Sequence, residues 1–182
     1  ACQTRCVCFG SLAQRNVVTR TTLNRFLDAM SGEAYKVFDI NLRQHFYTVE
    51  VLKDSLARCN ILKLNDEELV ILSELLELSE KSIEGKCWEM MKRFDLKVLI
   101  LTCGVQGSYV FSGDTRSFLD TPHVKVVDTV GAGDSFTAAF CAAILKGKSM
   151  VEAHRLAVEV SAFVCGQAGA MPRLPEKLKG IL

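Results

Sequence analysis

The stretch "VVDTVGAGDSFTAAF", Val126 to Phe140, sets Gly131, Ala132 and Gly133 directly before Asp134 and then runs into an apolar, helix-like segment. Two glycines around one alanine let the backbone bend sharply and bring its amides close to a ligand. The helix that follows leaves its first amides without intrahelical partners and carries partial positive charge at that end. Such a turn suits an anion, and a phosphoryl group in particular. A plain helix cap with no chemistry satisfies the same four residues, and the stretch by itself leaves both readings open.

Working outward, β-rich runs alternate with helical periodicity. "RCVCFGS" opens as a strand, and Leu23, Phe26, Leu27 and Met30 recur at helical spacing between Gln14 and Met30. "KVFDINL" reads as the next strand, with a short helix over Val49 to Ala57. "CNILKLN" is a third strand, followed by one helix bearing Leu69, Leu72 and Leu76 and another bearing Ile83, Cys87, Met90, Met91 and Phe94. "KVLILTCG" is a fourth strand. "SYVFS" and "RSFLD" flank the Gly113-Asp114 turn, which predicts an antiparallel edge. Helices are expected over Ser135 to Lys146 and Val151 to Val164, with a short tail after Pro175. Strand–helix–strand repeats call for right-handed crossovers onto a mainly parallel sheet. The predicted fold is therefore α/β, a three-layer α/β/α Rossmann-like sandwich, built as a single domain over residues 1–182.

Bulk composition agrees with that fold. Hydrophobic residues make up 49% and mean hydropathy is +0.19, as a parallel sheet covered on both faces requires. The 22 basic and 21 acidic residues nearly cancel, so no nucleic acid or anionic membrane is expected as a partner. The most apolar helix-like run, "FTAAFCAAIL", has half the roughly 20 residues a bilayer span needs. "ACQTRCVCFGS" lacks the apolar stretch of a secretory signal. The spacing of the eight cysteines fits neither a disulfide framework nor a zinc site. Buried, reduced thiols and a cytoplasmic location are expected. His45, His123 and His154 form no ligand spacing and read as surface or packing residues, while Trp88, Met90 and Met91 read as core or helix-face residues.

The string Asp128-Thr129-Val130-Gly131-Ala132-Gly133-Asp134 closely resembles the C-terminal motif of the ribokinase-like family of carbohydrate kinases, which includes ribokinase, fructokinase and adenosine kinase. The resemblance implies that Asp134 is the catalytic base and that Gly131, Ala132 and Gly133 form the anion hole for the transferring phosphoryl group. Three further segments match the family in order. "NDEE" matches its Asn-x-x-Glu motif and implies that Asn65 and Glu68 place magnesium and phosphate through water. The same pair would also serve as a capping box. "TCGVQG" matches its Thr-x-Gly-x-x-Gly turn, which puts Thr102, Gly104 and Gly107 along the nucleotide phosphates. An ordinary strand-end turn is the alternative. "DINLR" matches the fructokinase-like Asp-x-Asn-x-Arg segment, with Asn41 and Arg43 near the transfer site and Arg43 able to make a bidentate phosphate contact. A surface ion pair is the alternative there. "GQAGAMPRLP" resembles the segment that borders the adenine, which implicates Gly166 and Ala168. Asp128 is implied beside a monovalent cation.

The resemblance implies ATP-dependent phosphorylation of a sugar hydroxyl, with ATP, Mg2+ and K+ as cofactors and fructose or a related sugar as substrate. A nucleoside or other ketose kinase, and a non-catalytic nucleotide-binding module, stay open as alternatives. The resemblance covers the C-terminal portion of the family fold. An N-terminal part and a small β-lid are expected to lie outside these 182 residues, so the chain alone is expected to bind nucleotide weakly and transfer no phosphate. A homodimer or other self-association through an exposed sheet edge is expected as well.

Overall fold

The computed structural model describes residues 1–44 and 46–179 and divides into two compact units. The first comprises Ala1–Thr102 with Phe111–Thr115, and the second Cys103–Val110 with Arg116–Leu182.

The first unit alternates strands and helices: β1 (Cys6–Phe9), α1 (Val17–Asp28), β2 (Tyr35–Asp39), α2 (Val49–Arg58), β3 (Ile61–Asn65), α3 (Asp66–Leu75), α4 (Ile83–Arg93) and β4 (Val98–Thr102). All three strand pairs among β1–β4 are parallel, which a chain can achieve only by crossing over between strands. The register sets Asp39 opposite Lys63, and Asn65 opposite Thr102. Val37, Phe38, Ile61, Leu62, Leu64 and Val98 to Leu101 are buried, and Phe9 stacks on Phe38 at 5.2 Å. Trp88 meets Phe111 edge-on at 5.0 Å, and Met90 and Met91 are buried, so these three residues do belong to the core side of α4.

Chain order and sheet order coincide. With β5 (Ser108–Ser112) and β6 (Thr115–Leu119), the strands form a six-stranded sheet ordered β1-β2-β3-β4-β5-β6. Only Gly113 and Asp114 separate β5 from β6, a connection that parallel strands cannot use. The expected mainly parallel α/β sheet with an antiparallel end is thus observed. The second unit continues with α5 (Ala132–Leu145), α6 (Met150–Cys165) and the single turn α7 (Glu176–Lys179). Phe136, Phe140, Ala143 and Ile144 of α5 and Ala153, Leu156, Ala157 and Val160 of α6 are buried. His154 is also fully buried, with its Nε2 2.8 Å from Ser108 Oγ and its Nδ1 2.9 Å from Ser117 Oγ. One ring nitrogen donates and the other accepts, so the ring is satisfied while neutral. It is a packing residue, as its isolated spacing implied. His123 is exposed, and His45 lies outside the described residues.

Several boundaries differ from the sequence reading. The helix expected over Gln14 to Met30 is instead a 3-10 turn, Leu12–Arg15, then α1. The break falls at Asn16, whose extended backbone and side chain cap α1 by accepting from Val18 and Thr19. The strand "KVFDINL" stops at Asp39, because Asn41 turns into the left-handed region at φ 46°. The helix expected from Ser135 begins three residues earlier, at Ala132. The thiols are not uniformly buried: Cys59, Cys87 and Cys103 are buried, whereas Cys2 and Cys8 are exposed. Cys8 sits on β1, where alternation turns every second side chain to the other face. Among the described residues, no helix is long and apolar enough to cross a membrane.

Candidate functional site

In the second unit, α5 starts without a side-chain cap. Gly131 occupies the N-cap position at φ 81°, a backbone that residues with a β-carbon rarely adopt. A β-carbon there would also lie 2.7 Å from the Ala170 carbonyl oxygen, so Gly131 is required on two counts. Ala132 N–H donates to Thr129 O at 3.2 Å and Ser135 N–H to Gly131 O at 2.8 Å. Between them, the amides of Gly133 and Asp134 have no acceptor among the described residues, and both residues are exposed. Two open amides at the positive end of a 14-residue helix are donors of the kind that suit an anion. Asp134 belongs to the same first turn.

The turn is held from both sides. Asp128 Oδ1 accepts from Val130 N–H at 2.9 Å and Oδ2 accepts from Gly169 N–H at 3.2 Å. The amides of Val127 and Asp128 donate to Cys165 O, and Ser161 Oγ donates to Ala132 O at 3.0 Å. Burial, then the Asp128 carboxylate, pushes the Cys165 thiol above its ordinary range. The segment after α6 therefore does meet the turn, but through Gly169 and Ala170. Gly166 ends α6 and a β-carbon there would make only ordinary contact, and Ala168 is exposed. The sequence reading names no contact with this turn, for which the small pair Gly169-Ala170 was the available signal.

Gly104 and Gly107 bracket a 3-10 turn in the same unit. Cys103 N–H donates to Gly107 O at 2.9 Å and Thr121 Oγ1 donates to Gly104 O at 2.6 Å. Gly107 has φ 109°, and a β-carbon on it would lie 2.6 Å from Leu119 O. Its small size is therefore a packing requirement, whatever else it does. Val105, at the tip of the turn, is 90% exposed.

In the first unit the candidates collect at the C-terminal ends of parallel strands, where open α/β sheets place their ligands. Asn41 and Arg43 follow β2, Asn65 ends β3 and Thr102 ends β4. Asn65 and Glu68 form a complete capping box. Asn65 Oδ1 accepts from Glu68 N–H at 2.8 Å, and Glu68 Oε2 accepts from Asn65 N–H at 2.8 Å. The second carboxylate oxygen is also engaged: Glu68 Oε1 accepts from Leu42 N–H at 2.9 Å. Buried Glu68 thereby fastens the Asn41–Arg43 loop to the start of α3, a link that no spacing in the sequence signals. Glutamine at 68 would close only one of these two bonds, because its amide nitrogen would face a second donor. Asn41 and Arg43 are exposed, whereas Thr102 Oγ1 points back to Leu64 O at 3.5 Å.

No group of three or more metal-ligating side chains occurs among the described residues. Both oxygens of Glu68 and both of Asp128 already accept backbone N–H groups. That donor set makes no all-protein cage.

Residues 7–177 match the pfkB family carbohydrate kinase, and the chain belongs to that family. It is 31% identical over 131 residues to probable fructokinase-3 of Arabidopsis thaliana, an alignment covering 68% of this chain and 36% of that protein. It is 32% identical over 124 residues to ribokinase of the same plant, covering 65% and 31%. The chain thus spans about a third of the length of these two relatives. Its fold is that of fructokinase from Vibrio cholerae O395, solved with fructose, ADP and a calcium ion, at a TM-score of 0.84 and 22% identity. That likeness covers 100% of this chain and 62% of the other, and it identifies the sheet as ribokinase-like.

Proposed function

We propose that these residues form the nucleotide-binding portion of an enzyme that moves the γ-phosphoryl group of ATP to a hydroxyl of a sugar, with fructose or a related sugar as acceptor. The observation that carries this reading is the start of α5, where two unpaired amides and the Asp134 carboxylate share one exposed turn. In phosphoryl transfer, charge spreads over the equatorial oxygens, and catalysis consists mainly of positioning and electrostatic stabilisation. The Gly133 and Asp134 amides would hold those oxygens. Asp134 would accept the hydroxyl proton as the sugar oxygen bonds to phosphorus, and the bond to the ADP oxygen breaks in the same displacement. Proton transfer late in a loose transition state makes placement matter more than basicity.

The remaining residues enter in supporting roles. Arg43 supplies a bidentate phosphate contact beside Asn41. Thr102, Gly104 and Gly107 run along the nucleotide phosphates, and Gly166 and Ala168 border the base. Asn65 and Glu68 reach magnesium only through water, since the carboxylate is already occupied by two amides. Asp128 stands next to a monovalent cation. The reading places the protein in the cytoplasm, with self-association through an exposed sheet edge. The names of the pfkB relatives support the acceptor class, and the fructose and ADP of the Vibrio enzyme support both substrates.

Asp134→Asn is the direct test, made in the full reading frame that contains these 182 residues. Turnover in a coupled ADP-release assay should fall by roughly two to four decades, with ATP affinity held within a few-fold. Turnover near wild type would remove Asp134 as the base.

A further inference from the structure

We infer that the buried ion pair Asp39–Lys63, acting with Glu68, is a positioning device for the Asn41–Arg43 loop and not a stabiliser of the sheet. Lys63 lies in β3, where Ile61, Leu62 and Leu64 are fully buried, and it is itself only 8% exposed, as is Asp39. Its Nζ donates to both Asp39 oxygens, each at 3.0 Å. Burying two charges costs about as much as their attraction returns, and apolar residues of similar volume often serve a core as well or better. Adjacent positions in the same register, Phe38 opposite Leu62 and Val37 opposite Ile61, are apolar. Sheet stability therefore does not account for a lysine and an aspartate here.

Location does account for them. Asp39 is the last residue of β2, and the chain leaves the sheet directly after it. Ile40 N–H donates to Lys63 O at 3.1 Å, and Ile40 O accepts from Ser11 Oγ at 2.9 Å. Asn41 then takes φ 46°, Leu42 N–H is held by Glu68, and Gln44 takes φ 47°. Two left-handed non-glycine residues within four positions are a conformation that persists only where the surroundings dictate it. Fastenings at 39, 40 and 42 dictate it, and Arg43 emerges from them with its side chain exposed. The aim of Arg43 is thereby set by a rigid frame rooted in β2, β3 and α3. The link from this frame to phosphoryl transfer rests on the function proposed above. Its hold on the loop does not.

The test compares wild type with the double variant Asp39→Leu/Lys63→Met, read by amide hydrogen exchange in the 182-residue chain and by kinetics in the full reading frame. The double variant should melt no lower than wild type, while the Ile40 and Leu42 amides exchange at least about tenfold faster. With the loop released, kcat should fall about 10- to 100-fold and KM for ATP should stay within about twofold. Wild-type exchange at Ile40 and Leu42 would overturn the inference, and so would faster exchange with unchanged kcat. If the double variant fails to fold, Asp39→Asn keeps the shape and one acceptor and should show the same exchange change at smaller size; unaltered protection there overturns the inference too. A wild-type full-length protein that phosphorylates no sugar would sink the proposed function, while faster exchange in the variants would leave the positioning role standing.

Discussion

Two helices, α3 and α5, begin in opposite ways. At α3 the Asn65 side chain takes up the Glu68 amide, and Glu68 reaches back to Asn65 and across to Leu42. At α5 the cap is a glycine with no side chain, and two amides in the first turn have no acceptor among the described residues. A closed start serves stability. An open start leaves a standing deficit of hydrogen bonds that a bound anion can make good. An acidic residue in the first turn does not distinguish the two, since Asp134 sits in that of α5 as Glu68 does in that of α3. What distinguishes them is whether the carboxylate is consumed by its own helix.

The largest expected effect separates the shape of the open turn from its chemistry. Gly131→Val combines a positive φ with a collision against Ala170, and should cost roughly 3 kcal/mol or more, seen as a fall in Tm. Loss of activity in that variant therefore tests nothing by itself. Gly133→Ala is the cleaner change, because alanine suits a helix and should preserve stability or raise it by up to about 1 kcal/mol. Its methyl group should still crowd the open amides and weaken inorganic phosphate binding, measured by calorimetry. Unchanged phosphate affinity in Gly133→Ala would make α5 an ordinary helix start and erase the contrast with α3.

Acid gives a second, smaller effect and sharpens the contrast between the units. The first unit buries a charge pair, Asp39–Lys63, and the second buries a neutral imidazole, His154. Burial lowers the His154 pKa from 6.5 to about 4. The folded protein therefore disfavours the proton that the unfolded chain accepts. The contribution is complete above pH 6.5 and is lost as pH falls from there toward 4, with a ceiling of about 3 kcal/mol. Urea melts at pH 7, 5 and 4 should show that loss in wild type and not in His154→Gln. Parallel pH curves for the two proteins would show that the ring is already charged or already solvated.

The smallest expected effect is at the closed start. Asn65→Ala should cost about 1 kcal/mol of stability and leave phosphate affinity at α5 unchanged. A drop in phosphate affinity as large as that of Gly133→Ala would mean that the two starts do not differ in kind.

Much of this was legible in the sequence. Periodicity placed every strand and the longer helices, because buried strands such as "VLILT" and helices with apolar residues every three or four positions carry their pattern locally. The Gly131–Asp134 turn was legible because glycine and a following apolar helix are both local signals. What stayed hidden depends on residues far apart in the chain. A lysine in a strand reads as solvent-facing, and only Asp39, 24 residues earlier, explains why Lys63 is buried. Glu68 reads as half of a capping box, and nothing near it announces Leu42. The contact of the C-terminal segment with the turn stayed hidden as well, because the steric partner of Ala170 is a glycine 39 positions away.

The clasp of Asp128 on Gly169 spans 41 residues, with all of α5 and α6 between its ends. Contacts of such sequence separation form after the local helices, once the entropy of closing the intervening chain has been met. The open turn is therefore assembled late, when the segment beyond α6 folds back and Ala170 settles beside Gly131. A nascent chain that has emerged only as far as Cys165 holds the helix but not the shaped turn. Substitutions at Asp128 or Gly169 should accordingly hasten unfolding and leave the folding rate nearly untouched, since their contact is absent from the barrier.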